Sequence, residues 1–450
     1  MHNITSRLLK NSVIATVLCG IVGIPAWAAI AVEPPSSAPV SQERTSGRLT
    51  LEDALLEAFN HNPTLAAVIA QRPVAQANVV QAKIRVNPTY NNQFAPAEAT
   101  YHYVDIKTTT QLGLKRQRRI EVAQRQIDAT NATIKTFAWK IRQDTESAFF
   151  ELVIATEVLK VMQEYVAITE RLYAIAEKRL AARDASGLDV LRADAAVSDA
   201  RAQLVPAVVR VQQAQRQLNI VLGRDPDVNV QVGRPNFLQL ENTVVQLPTY
   251  SQLLSTARIY RPEYRQNAAD VQVQEARIKQ AYSLRWPDVQ VGMGMSSVPL
   301  VPDKNYFGTH VINRPFWYAQ IPINIFDYGQ GILANAKTTR DQLVVQRTAI
   351  DNQVEQELNV AYSGASTTAQ QLAIFIKQTL PKQARVVVLT EKGYSAGAVD
   401  LTGAITAQQA ALATRLNFLQ AATQYYQALV AVERAVGKPV LLDIISTEVK

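Results

Sequence analysis

The chain states its plan twice. Leu51-Glu52-Asp53-Ala54-Leu55, leading to Asn62-Pro63, resembles Tyr250-Ser251-Gln252-Leu253-Leu254, leading to Arg261-Pro262. Pro63 and Pro262 are 199 residues apart, and Asn87-Pro88 and Trp286-Pro287 are separated by the same 199. Gln111-Leu112-Gly113 then resembles Asp327-Tyr328-Gly329, and Ser186-Gly187-Leu188-Asp189 resembles Ala396-Gly397-Ala398-Val399-Asp400. The halves close on Val221-Leu222-Gly223 and Ala435-Val436-Gly437. Landmarks in one order define two structural repeats, 50–247 and 248–437, with a C-terminal tail at 438–450. A duplicated chain folds as like units sharing one plan, whatever domain count its 450 residues would otherwise suggest.

Each repeat reads as short helix, helix, hairpin, long helix, returning helix. Thr50 caps a helix over Leu51–Asn60, with Asp53 at the third position of a capping box. Pro63 opens a helix reaching about Val86, which Pro73 should bend. The 69 residues from Lys115 to Arg183 hold neither Gly nor Pro, and Phe149, Val153, Ile154, Val158 and Val161 recur at helical spacing. That stretch would reach roughly 100 Å as one helix. Asp184–Gly187 turns the chain, and Leu188–Leu222 returns, with Pro206 kinking it or changing its coil. In the second repeat Gly331–Tyr394 is the long helix, Val399–Val436 returns and Pro262–Leu284 supplies the remainder. In each repeat the two shorter helices, laid end to end, nearly match the long one. The expected body is an antiparallel barrel or bundle of long helices, close-packed through alanine. Gly is only 17 of 450, which suits this plan and argues against a Gly-rich dinucleotide fold or an all-β sandwich.

The hairpin segments break the helical period. Val289, Val291, Met293 and Met295 alternate with Gln290, Gly292, Gly294 and Ser296. Trp317, Ala319, Ile321, Ile323 and Ile325 alternate with Tyr318, Gln320, Pro322, Asn324 and Phe326. Period two with one apolar face predicts strands, at about 287–326 here and at about 87–112 in the first repeat. Strands of about 9–11 tilted residues suit a bilayer core, and Phe316, Trp317 and Tyr318 suit an interfacial aromatic girdle. In the first hairpin Val104, Ile106 and Thr108 alternate with Tyr103, Asp105 and Lys107. Asp105 and Lys107 must then face a wet lumen, because charge facing lipid costs about 2–4 kcal/mol at midplane. Two hairpins give four strands, and a spanning barrel must close with at least about 8. A membrane-spanning form of this chain is therefore an oligomer; a half-buried soluble hairpin is the other reading of the same alternation.

Residues 1–29 carry Arg7 and Lys10, an apolar run from Val13 to Ile24, and Ala26-Trp27-Ala28, the pattern of a cleaved secretory signal peptide. A flexible segment, 30–49, follows. Leu18 is bulky before Cys19, against a lipidated N-terminus, and Cys19 is the single cysteine, so the mature chain has no disulfide framework or thiolate metal site. No later apolar run is long enough for a spanning helix. His2, His61, His102 and His310 show no ligand spacing, and no hydrolase, phosphate-loop or metalloprotease motif is present. Neither catalysis, a cofactor nor a bound metal is expected. The net charge of +8 is scattered without interleaved aromatics, which excludes a nucleic-acid reading.

Taken together, the repeat, the hairpins and the tip turns resemble the TolC-type outer-membrane efflux protein family over roughly 50–437. The matching stretches are Leu49–Ala54 with Asn62-Pro63, Gly113-Leu114-Lys115-Arg116, Asp184–Ala193, Arg261-Pro262-Glu263, Phe326–Gly329, Leu380-Pro381, Tyr394–Gly397 and Ala407-Gln408. The resemblance implies a mainly α fold with a small β part. Tandem long-helix repeats would form an α-barrel, and four strands per chain would enter a trimeric 12-stranded transmembrane β-barrel. It implies a homotrimeric exit duct in outer-membrane lipid, served by a periplasmic adaptor (membrane fusion) protein and an inner-membrane transporter of the RND type. The adaptor-facing tips would be Ala185, Ser186, Gly187, Leu188 and Asp189, with Ser395, Ala396, Gly397, Ala398 and Val399. Gly187 and Gly397 fit left-handed turns there. Candidates for a periplasmic gate are Tyr394, Asp400, Gly403 and Thr406; the family's acidic side chains are absent at the last two. The lipid-facing set is Val289, Val291, Met293, Trp317, Ala319, Ile321, Ile323 and Ile325. Lys115-Arg116-Gln117-Arg118-Arg119 resembles the heavy-metal branch of the family; as physics it could meet anionic headgroups or be a solvated helix face. The expected cargo is drugs or metal cations. A protein-secretion duct, or a soluble periplasmic scaffold of long helices, is the alternative.

Overall fold

A computed structural model describes residues 48–96, 100–233, 247–299 and 311–439. The expected signal peptide at 1–29, most of the 30–49 segment, residues 97–99, 234–246 and 300–310, and most of the tail lie outside the described residues. The first repeat contains α1 (Leu51–His61), α2 (Pro63–Ile69), α3 (Gln71–Lys83), β1 (Thr89–Pro96), β2 (Thr100–Gln111), α4 (Lys115–Ala181) and α5 (Gly187–Leu222). The second contains α6 (Tyr250–Tyr260), α7 (Pro262–Ser283), β3 (Asp288–Pro299) and β4 (Val311–Gln320). A long rod follows, made of α8 (Gln330–Ile374), a five-residue π-helical turn (Phe375–Thr379) and α9 (Leu380–Ser395), before α10 (Leu401–Val436).

Local chemistry sets these limits. The Thr50 hydroxyl accepts from the Asp53 amide at 3.2 Å and donates to its carboxylate at 2.7 Å, starting α1. Pro63 and Pro262 open α2 and α7, where a missing N–H costs nothing. The helix expected over Pro63–Val86 breaks at Ala70 and ends at Lys83. The Pro73 ring opposes the carbonyl of Ile69, so the turn opens there. Pro206 leaves α5 continuous. Pro381 acts differently: its ring would meet the carbonyl of Lys377, and the wide π turn immediately before it accommodates the clash. Leu49 is not loose, as expected for 30–49, but exchanges backbone bonds with Gln231 (2.8 Å) and Gly233 (2.9 Å).

The 67-residue α4 is the shared spine. Against its N-terminal part lies α3, with Val79 and Ala82 on Ala123. Along its C-terminal part lies α5, with Arg210–Glu151 at 2.8 Å and Arg201–Glu170 at 2.7 Å. The core joins both repeats: Phe149, Leu152 and Ile154 of α4 pack with Leu218, Leu358, Leu429 and Tyr425, and Phe150 stacks on Tyr426 at 5.1 Å. Fully buried Ala155, Ala200, Ala365 and Ala435 let the backbones approach. Within this core Glu146 of α4 and Glu433 of α10 have no exposed surface. Arg142 reaches Glu146 at 2.8 Å. Burial, then the Glu433 carboxylate, pushes the Glu146 carboxyl far above the usual carboxylate range, against the pull of Arg142.

Each repeat also closes on its own beginning. Gly223 and Gly437 end α5 and α10 at φ +75. A Cβ on Gly223 would lie 2.2 Å from the carbonyl oxygen of His61, and one on Gly437 would lie 2.5 Å from the Arg261 Cα. Only glycine allows the left-handed turn and that approach together. Asn62 adds a 2.7 Å bond to the Val221 carbonyl.

Candidate functional site: sheet face and helical tips

The two hairpins meet in one antiparallel sheet of order β1-β2-β3-β4. The pairings Tyr90–Ile106, Ile106–Met293 and Met293–Trp317 put four apolar side chains in one row on one face. Val291 and Ala319 share a flanking row with Thr108. This face is open: Met293 is 72% and Trp317 82% exposed. The opposite face carries Asp105, Lys107, Phe316 and Tyr318. There Tyr318 donates to Asp105 at 2.7 Å, and Tyr103 stacks on Phe316 at 4.8 Å. The Tyr318 and Phe316 rings lie over Gly292 and Gly294, where a Cβ would come within 2.7 Å of them. Asp105 and Lys107 thus sit opposite the apolar face.

The second hairpin's last strand differs from the expected Trp317–Ile325. It runs Val311–Gln320, so Ile321, Ile323 and Ile325 lie beyond the ladder, in a segment that bends at Ile325, whose N–H donates to the Ile323 carbonyl at 2.9 Å. In the Gln290–Gln320 register the next pair would be Val289–Ile321, and the two after it, Asp288–Pro322 and Pro287–Ile323, each hold a proline with no N–H to offer. Ile323 is nevertheless 81% exposed, extending the apolar surface past the sheet. Val289 is half-buried on β3.

The tips sit side by side at the far end. Arg179 of α4 donates to the Tyr394 carbonyl at 3.1 Å and stacks over its ring at 5.0 Å. Arg192 reaches the Thr402 hydroxyl at 3.4 Å. Leu172, Ala176, Ala193, Tyr394, Leu401 and Ala404 form their shared core. Gly397 has φ +78, as a left-handed turn requires, but Gly187 does not: it is the first residue of α5, with nothing within 4 Å of its Cβ position. The first tip's left-handed residue is Arg183, at φ +63. Asp184 N–H to the Arg179 carbonyl (2.8 Å) matches Ala398 N–H to the Gly393 carbonyl (2.8 Å). The true equivalents are therefore Arg183 with Gly397 and Ser186 with Asp400, not glycine with glycine. Ser186 and Asp189 form a capping box, and the Ser186 amide and hydroxyl hold the Asp189 carboxyl below its ordinary value. Ala185 is half-buried, Leu188 exposed, and Ser395, Ala396, Ala398 and Val399 complete the second turn.

Of the gate candidates, Asp400, Gly403 and Thr406 bond to one another at the start of α10, and Tyr394 lies in the tip core beside them. Tyr394 is 1% exposed inside the tip core, so its ring packs rather than reaching a neighbouring chain. Asp400 caps α10, accepting from the Gly403 amide at 3.0 Å. A Cβ on Gly403 would approach that carboxylate to 2.8 Å, so glycine keeps the cap clear. Thr406 bonds back to the Thr402 carbonyl. Arg179, which with Arg192 joins the tips, gave no sequence signal because it reads as one more solvated helical charge. The basic run at 115–119 is likewise not a free helix face. Lys115 pairs with Asp288 at 2.6 Å and Arg118 with Glu121 at 2.8 Å. Arg116 and Arg119 donate to the carbonyls of Lys83, Ala82 and Ile84, capping the C-terminus of α3.

Among the described residues no helix is long and apolar enough to cross a membrane, and no cluster of three His, Cys, Asp or Glu could hold a metal. A duplicated long-helix body bearing a four-stranded sheet with one open apolar face is the protomer architecture of outer-membrane exit channels. The chain belongs to the outer membrane efflux protein family, whose model matches residues 54–224 and 253–438. It is 24% identical over 415 residues to the cobalt-zinc-cadmium resistance protein CzcC of Cupriavidus metallidurans, covering 90% of this chain and 93% of that protein. Its fold matches the Campylobacter jejuni CmeC outer membrane channel with a TM-score of 0.66 at 16% identity, over 89% of both chains. The open state of the Neisseria gonorrhoeae MtrE outer membrane channel matches with 0.65 at 17%, over 86% of this chain and 88% of that one. The protein is thus a non-catalytic outer-membrane exit duct with a periplasmic helical part, in a family whose channels work with periplasmic adaptors and inner-membrane transporters.

Proposed function

We propose that three copies close their sheets, β4 of one against β1 of the next, into a twelve-stranded barrel. The resulting trimer is the passive exit channel of a tripartite efflux pump. The observation that carries this is the sheet itself: its apolar face is open, and β1 and β4 each keep an unpaired edge that lipid cannot satisfy. Two copies would give a barrel of about eight strands, whose interior side chains fill, so a duct takes at least three. Val289, Val291, Met293, Trp317 and Ala319 face lipid. The turns at 185–189 and 395–399 meet a periplasmic adaptor, which links the duct to an inner-membrane transporter of the RND type. The relation to a cobalt-zinc-cadmium resistance protein favours divalent metal cations as cargo over drugs. Deleting the gene and measuring cell-associated zinc, cobalt and cadmium alongside drug susceptibility tests this. Metal accumulation with unchanged drug susceptibility is expected; the reverse pattern assigns drugs, and no change in either removes the efflux reading.

A further inference from the structure

The two repeats treat their cations differently where sheet meets helix. In the first, Lys115, Arg116, Arg118 and Arg119 are all engaged by protein oxygens. In the second, Arg285 and Lys337 converge on the Tyr282 ring, at 5.0 and 5.7 Å from its centroid. Arg285 also lies 5.9 Å from the Tyr328 ring. Among the described residues no carboxylate pairs with either cation. Two like charges at one ring repel, and cation–π contacts of about 0.5–1 kcal/mol each at exposed sites do not replace a counter-ion. Immediately beside them runs an apolar skirt. Asn324 donates to the Leu284 carbonyl at 3.5 Å, which fixes Ile323 and Ile325 next to Arg285. Ile323, Ile325, Phe326 and Trp286 are all exposed, on the segments that join the helices to β3 and β4.

We propose that Arg285 and Lys337 hold the phosphate of a phospholipid in the periplasm-facing leaflet, with its acyl chains lying over Ile321, Ile323 and Ile325. The inference rests on the membrane reading of the sheet. Guanidinium and ammonium donors suit phosphate oxygens, and the aromatic rings suit the headgroup level. An anionic lipid is preferred, because its phosphate carries no tethered cation for Arg285 and Lys337 to repel.

Full-length protein extracted in detergent should be titrated with phosphatidylglycerol and read by native mass spectrometry. Retention should weaken about fivefold for Arg285→Gln or Lys337→Gln and about 25-fold for the pair. Arg285→Lys with Lys337→Arg should keep most of the binding, and phosphatidylcholine should bind weakly to every form. Unchanged retention in the double variant overturns the proposal. So does full displacement of lipid by equimolar inorganic phosphate, which would make the cluster a free-anion site. Dissociation of the oligomer by the same substitutions also overturns it, since the cations would then bind a second copy. If the wild-type protein is recovered from the soluble fraction without detergent, the membrane reading itself fails, which is distinguishable from membrane protein indifferent to these changes.

Discussion

Glu146 and Glu433 place two carboxyls beside one arginine in a core that admits no water-exposed surface. The Glu146 carboxyl is pushed up to about 9 by burial and its acidic neighbour, whereas in the unfolded chain it titrates at its ordinary value of 4.5. Unfolding therefore releases a proton across that interval, so its contribution is complete below about pH 4.5 and is lost as pH rises toward about 9. Glu146→Gln removes the loss: the melting temperature should rise at pH 8.5, at about 2–4 °C per kcal/mol, and change much less at pH 5. A gain equal at both pH values would contradict the protonated carboxyl. At the tips, Arg183 holds a left-handed conformation that costs a side chain about 1–2 kcal/mol. Arg183→Gly should slow hydrogen exchange at the first tip, and Gly397→Val should speed it at the second. Gly187→Ala, at an open first helical position, should change neither tip. The sequence marked both turns but paired the wrong residues, because a glycine is visible in a sequence and a left-handed arginine is not.

At the scale of elements, the long helices were legible because the absence of Gly and Pro over 115–183 leaves the chain no place to stop. The strand faces were legible for a similar reason, since period two admits one assignment of sides. Three prolines had effects that depended on place. Pro73 broke a helix, Pro381 widened one into a π turn, and Pro322 ended a ladder that the isoleucine alternation seemed to continue. Alternation records which side a residue faces, not whether its backbone has a partner. Depth separates the two classes of apolar residue. Met293→Arg, mid-wall, should cost about 2–4 kcal/mol and abolish membrane assembly while far-UV circular dichroism stays helical; Ile323→Arg, near the interface, should cost about 0–1 kcal/mol and assemble. Equal assembly of both variants would mean that the sheet does not cross the bilayer. The basic run at 115–119 was misread because a run of cations shows charge but hides the carbonyls of α3 that accept from it.

For the whole molecule, the prediction is one of stoichiometry. Detergent-extracted protein should sediment as three copies of the chain, and a monodisperse single chain would leave β1 and β4 open in lipid and refute closure. The channel's cargo was not written in side chains at all, since a passive conduit needs no ligand geometry. Gly223 and Gly437, each wedged against the opening of its own half, reach further back. Because either half shuts on itself while one core runs through both, an ancestor of half the length would have had to pack against a second copy of itself. Six such short chains, with one hairpin apiece, would fence the same twelve-stranded hole that is proposed here for three fused ones.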